Sequence, residues 1–245
     1  MPDLVRLGLL LLSLGALVTS SVILVSPWRL AGAGTLLALW IVGAGQVVLL
    51  AEGLSLLHAL DWPGFLAGHL LVLGGSAGLA ARRPPADRWR ALSEVRDGLH
   101  RLSQIVLDRH TPWLPLLLGA VLLVGLTSTV LALLVPPNNF DSLMYHMSRV
   151  GYYLQFRSLD HYPTTNLRQV TFPANAELLV LWTVAFLGSD RLANTVQLVA
   201  WVVTTVGVYG LGRRVGLGAA AALLGAGAFA LLPQVVLQST SAHND

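Results

Sequence analysis

Six stretches of this sequence, at about 7–25, 30–51, 64–81, 113–135, 192–211 and 217–237, are apolar over the length a helix needs to cross a bilayer, roughly 17–25 residues. Inside hydrocarbon no water is available to pair backbone N–H and C=O groups, so stretches of this kind can only be helices. The expected class is therefore all-α: a polytopic membrane protein with about six transmembrane helices. The composition agrees, with 55% hydrophobic and 11% charged residues, against about 25% charged in ordinary soluble domains. That balance excludes a typical soluble enzyme and a disordered chain. The chain has no cysteine, which removes disulfides, thiol catalysis and Cys-ligated metals. All 15 basic residues are arginines, so lysine chemistry such as a Schiff base or a P-loop is excluded as well.

The net charge of +3 and pI near 9.8 invite a nucleic-acid reading, but the positions of the arginines argue against it. Arg82, Arg83, Arg88, Arg90, Arg96, Arg101 and Arg109 share the connection after the third span, which the positive-inside rule makes cytoplasmic. Counting outward places Arg29, Arg213 and Arg214 on that side too. The N-terminus, the Glu52–Pro63 connection and the 136–175 loop then fall outside. This assignment requires that the seventh apolar stretch, 176–187, not cross. It is too short to do so and reads as a re-entrant or interfacial helix. The first span exceeds the apolar run of a signal peptide and reads as a retained anchor. The expected location is the bacterial cytoplasmic (inner) membrane, with the bilayer as first partner and no nucleic acid.

Three regions are expected: an N-terminal three-helix membrane unit at 1–81, a cytoplasmic linker at 82–112, and a membrane core at 113–245. In the linker, Leu92, Val95, Leu99, Leu102 and Val106 recur at spacings of three and four, the signature of an amphipathic helix on the inner leaflet. Within spans, Gln46, His69, Asn194 and Gln197 read as helix–helix hydrogen-bonding residues.

The outer loop differs from everything around it. It carries four of the five tyrosines (Tyr145, Tyr152, Tyr153 and Tyr162) together with Asp141, Asp160, His146, His161, Arg149, Arg157 and Arg168. A structureless connector of this length is unusual, and the aromatic content argues against disorder. Asn138 and Asn139 can cap a helix running from Asp141 to Arg157, with Leu143, Met147, Val150 and Leu154 on one stripe. Asp141, Tyr145, Ser148 and Tyr152 lie opposite, facing an aqueous cavity. A turn at Asp160–Pro163 follows. Glu177 opens the short helix, where the helix dipole favours a carboxylate.

Taken in order, the FDSLMYHMSRV stretch (Phe140–Val150), the Tyr162–Pro163–Thr164 turn, Arg168–Gln169, the Pro-led short helix, Gly212–Arg213–Arg214 and the QSTSAHND end (Gln238–Asp245) resemble the GT-C integral-membrane glycosyltransferases. These are the superfamily of protein O-mannosyltransferases and lipid A aminoarabinose transferases. The resemblance covers about residues 136–245. It implies transfer of a sugar from a polyprenyl-phosphate donor to an acceptor, of unspecified identity, at the outer membrane face. It implies that Asp141 is the catalytic base and that Arg149 and Arg168 hold the donor phosphate. Tyr145, His146 and Tyr162 would complete the substrate site, and Asp245 would serve as a second acidic residue able to hold a divalent metal ion, Mg or Mn. Members of this superfamily carry further spans, so the chain is expected to be the N-terminal part of such an enzyme. Two other readings stand beside it, a transporter component and a non-catalytic membrane scaffold.

Overall fold

The computed structural model describes residues 2–242, and the expected acidic residue at position 245 lies outside that range. The described chain is helical, without strands. Helix α1 (Asp3–Val25) runs into a 3-10 turn that ends at Arg29 in the left-handed region (φ 52°). Next come α2 (Ala33–Leu56) and α3 (Trp62–Ala81). The Asp61 carboxylate caps α3 by accepting from the Gly64 N–H at 3.0 Å. Then follow α4 (Pro85–Arg88), α5 (Arg90–Val106) and α6 (Leu114–Leu134). A π-helical turn at Ser142–His146 leads into α7 (Met147–Phe156). The chain ends with α8 (Arg168–Thr171), α9 (Asn175–Leu187), α10 (Thr195–Arg214), α11 (Ala219–Ala230) and α12 (Pro233–Ser239).

Among the described residues, five helices are long and apolar enough to span a membrane: α1, α2, α3, α6 and α10. The sixth expected span, 217–237, is not one rod. It is two helices bent by 65°. Pro233 explains the break, because it lacks an N–H and its ring collides with the preceding turn. Backbone polarity exposed by a break must find partners within the protein. Here Trp201 Nε1 donates to the Ala230 carbonyl at 3.1 Å.

Asn194 Nδ2 donates to the Val135 carbonyl at 2.9 Å, so α6 leaves and α10 enters at the same face of the bundle. Everything from 136 to 194 therefore returns to the face it left, and α9 makes no net crossing. At 13 residues α9 is about 20 Å long, short of the ~30 Å hydrocarbon core. Arg6 Nη1 donates to the Leu187 carbonyl at 2.8 Å, and Trp182 Nε1 donates to Ser13 Oγ at 3.1 Å. These contacts set α9 antiparallel to α1, with its C-terminus at the start of α1 and its body reaching into the bundle.

The arginine-rich connection packs at the opposite face. The Ala91 N–H donates to Ser26 Oγ at 3.1 Å and Arg83 Nη1 to the Ile23 carbonyl at 2.9 Å. Gly210 packs against Ala33, bringing Arg213 and Arg214 to the same end. The apolar stripe of α5 divides: Val106 is buried and Val95 and Leu102 are half-buried, whereas Leu92 and Leu99 stay exposed. Within the bundle, Gln46 bonds Ser20 and Ser21, each at 2.8 Å. The Ser13 hydroxyl lies 2.7 Å from His69 Nδ1.

Candidate functional site

The loop between α6 and α10 is an ordered, internally bonded unit. The Asn139 side chain accepts from the Ser142 N–H at 2.7 Å, as expected of an Asx cap, and starts the helical stretch. The π turn adds a residue to the first turn. Its rotation breaks the regular stripe expected from Asp141 to Arg157. On the apolar stripe, expected to face lipid or protein, Val150 is buried and Leu143 exposed, while Tyr145 is fully buried instead of facing an aqueous cavity.

Asp141 and Arg168 meet across this unit, Nη1 lying 3.3 Å from Oδ1, and both side chains are partly open to solvent. Tyr145 lies beneath them. The Arg168 guanidinium carbon is 5.8 Å from its ring centroid, and Phe172 meets the ring edge-on at 5.8 Å. His146 packs its ring 4.0 Å from that of Tyr145 and places Nδ1 2.9 Å from Glu177 Oε1.

Arg149 is fully buried. Its Nε donates to the Gln169 carbonyl (3.0 Å), its Nη2 to the Arg168 carbonyl (2.7 Å), and its Nη1 to the Pro173 carbonyl (3.2 Å) and Glu177 Oε1 (3.0 Å). One planar guanidinium thus ties α7 to the first two residues of α8, to the segment that follows it and to the first turn of α9. Gln169 adds a second tie, donating to the Met144 carbonyl at 2.8 Å and accepting from Thr164 Oγ1 at 2.8 Å.

Of the two arginines expected at a donor phosphate, then, Arg168 is accessible. Arg149 is enclosed, with its donors committed to protein acceptors. The three other expected substrate contacts, Tyr145, His146 and Tyr162, are likewise buried; Tyr145 and His146 pack beneath Arg168, whereas Tyr162 packs on Tyr152 and Tyr153. Tyr162 stacks on Tyr152 with centroids 4.0 Å apart and meets Tyr153 edge-on at 6.3 Å. Burial pushes the Tyr162 hydroxyl up to about 12 and raises that of Tyr153 as well.

A second anchor fixes the far end of the unit. Ser55 Oγ accepts from the Leu159 N–H at 2.7 Å, and Arg157 reaches Asp61 at 3.5 Å. Among the described residues no three His, Asp or Glu side chains converge in the manner of metal ligands, and Asp141 is engaged by Arg168.

Glu177 is the residue whose role sequence reasoning missed. A dipole-favoured first-turn position accounts for an acid there but not for its burial against two basic side chains. A signal was available, because Glu177 is the sole ionisable residue of the apolar helix α9, and such a residue calls for a buried partner. No family model, curated protein or solved structure matches this chain.

Proposed function

We propose that this chain is a membrane glycosyltransferase acting on a polyprenyl-phosphate-linked sugar, with the 136–175 loop on the outer side of a bacterial cytoplasmic membrane. The observation that carries the proposal is the accessible Asp141–Arg168 pair, held above a rigid buried base at the face where the chain returns between α6 and α10. In the reaction, the acceptor hydroxyl oxygen attacks the anomeric carbon and its proton passes to the Asp141 carboxylate. The bond from the anomeric carbon to the phosphate oxygen breaks, and polyprenyl phosphate leaves with the bonding pair. A positioned carboxylate contributes about 10²–10⁴-fold to such a proton transfer. A guanidinium suits the leaving phosphate, on which charge develops. Donor phosphate would draw Arg168 from Asp141.

The test uses the purified chain in liposomes with a panel of polyprenyl-phosphate hexoses and pentoses and bacterial membrane extract as the acceptor source. The expected result is sugar-dependent release of polyprenyl phosphate. Asp141→Asn should lower kcat by about 10²-fold or more, and Arg168→Ala should mainly raise KM. Full turnover by Asp141→Asn, or no release from any donor, would sink the proposal. One observation favours a second reading: the α11–α12 break is a feature of carriers. Solute flux across the same liposomes without sugar transfer would select that reading.

A further inference from the structure

A cavity of about 350 Å³ opens on the loop face, lined by Arg6, Trp62, Leu154, Val184, Ala185, Phe186 and Gly188. It lies between the first turns of α1 and α3, the end of α7 and the C-terminal end of α9. Five of its lining residues carry apolar side chains, and the polar group at its edge is a guanidinium.

Arg6 is half-buried. Its Nη1 donates to the Leu187 carbonyl, but its Nε is shielded from solvent without a hydrogen-bond partner among the described residues. Among those residues no carboxylate forms a salt bridge with it. A shielded N–H without an acceptor carries an unmet desolvation cost. The surface around it is lipid-facing, with Leu4, Val5, Leu7 and Leu11 exposed.

Depth points the same way. Helix α1 with its 3-10 turn covers 26 residues, or about 39 Å, so it overhangs a ~30 Å core at both ends. Arg6, the fourth residue of α1, lies about 5 Å from its start, at headgroup level.

We infer that this groove is a binding site for an anionic bilayer phospholipid. Its phosphate would pair with the Arg6 fork and the first segment of an acyl chain would lie against Leu154, Val184 and Phe186. The groove lies apart from the Asp141–Arg168 pair, so the inference does not depend on sugar transfer.

Native mass spectrometry of the full chain, delipidated in detergent and titrated with phosphatidylglycerol, tests it. One tightly held lipid is expected, with phosphatidylcholine held about tenfold more weakly and Arg6→Gln weakening phosphatidylglycerol by a similar factor. Ala185→Trp fills the groove while leaving the Arg6–Leu187 bond in place, and should abolish retention without lowering the thermal midpoint in lipid-free detergent. Equal retention by wild type and Ala185→Trp would mean that Arg6 only caps α9 and would overturn the inference. Displacement of the lipid by millimolar inorganic phosphate, or retention of polyprenyl monophosphate in preference to phosphatidylglycerol, would overturn it too.

Discussion

Arg149 and Glu177 form a fully enclosed ion pair, Nη1 to Oε1 at 3.0 Å, that joins the amphipathic helix of the loop to the first turn of α9. Three backbone carbonyls take further donors of the same guanidinium. Lysine, a point charge on a flexible stem, cannot reproduce this fork.

Breaking a buried pair from one side leaves a charge uncompensated, at a cost of about 3–5 kcal/mol. Arg149→Met should therefore strongly destabilise the loop, and adding Glu177→Leu should recover part of the loss. Thermal unfolding in detergent and proteolysis within 157–168 read this out. A single variant as stable as wild type would show that the pair holds nothing in place.

The spans were legible because bilayer thickness fixes a minimum run of apolar residues, and the short run at 176–187 was legible as non-crossing for the same reason. The loop between α6 and α10 was legible as ordered from its tyrosines, and its helix start from Asn139. Contacts far apart in sequence were not. Asp141 and Arg168 are 27 positions apart, and Arg149 and Glu177 are 28 apart, and no periodicity links such pairs. The wheel that set Tyr145 toward water assumed 100° per residue from Asp141 onward, which one π turn defeats. The break at Pro233 had a visible cause, yet the apolar run passes through it unchanged.

At the bend between α11 and α12, the indole N–H of Trp201 donates to the Ala230 carbonyl. Trp201→Phe keeps most of the ring volume and removes the donor. The expected loss is about 1–3 kcal/mol, the desolvation cost of an unpaired buried acceptor. It would be measured as a lower thermal midpoint. An unchanged midpoint would mean that water or lipid reaches that carbonyl.

Gly188 closes α9 with φ +66°, and a Cβ there would run into the Arg6 guanidinium. Gly188→Ala should cost about 1–2 kcal/mol from the left-handed backbone and should also displace Arg6 from the Leu187 carbonyl. In an Arg6→Ala background only the backbone part should remain. Equal costs in the two backgrounds would show that the glycine serves the turn alone.

Tyr162 offers a test at alkaline pH. Its hydroxyl is buried and has no hydrogen-bond partner among the described residues, so Tyr162→Phe should be neutral or stabilising by up to about 1 kcal/mol at pH 7. Burial raises its folded pKa from the ordinary phenol value of 10.0 to about 12. The folded state therefore keeps a proton that the unfolded chain has released. That contribution is complete below pH 10 and is lost as the pH rises toward about 12. Stability should fall over this window, and the fall should be shallower in Tyr162→Phe. Chemical denaturation at pH 9, 10 and 11 gives the two slopes, and identical slopes would mean that this hydroxyl titrates as freely in the fold as in the unfolded chain.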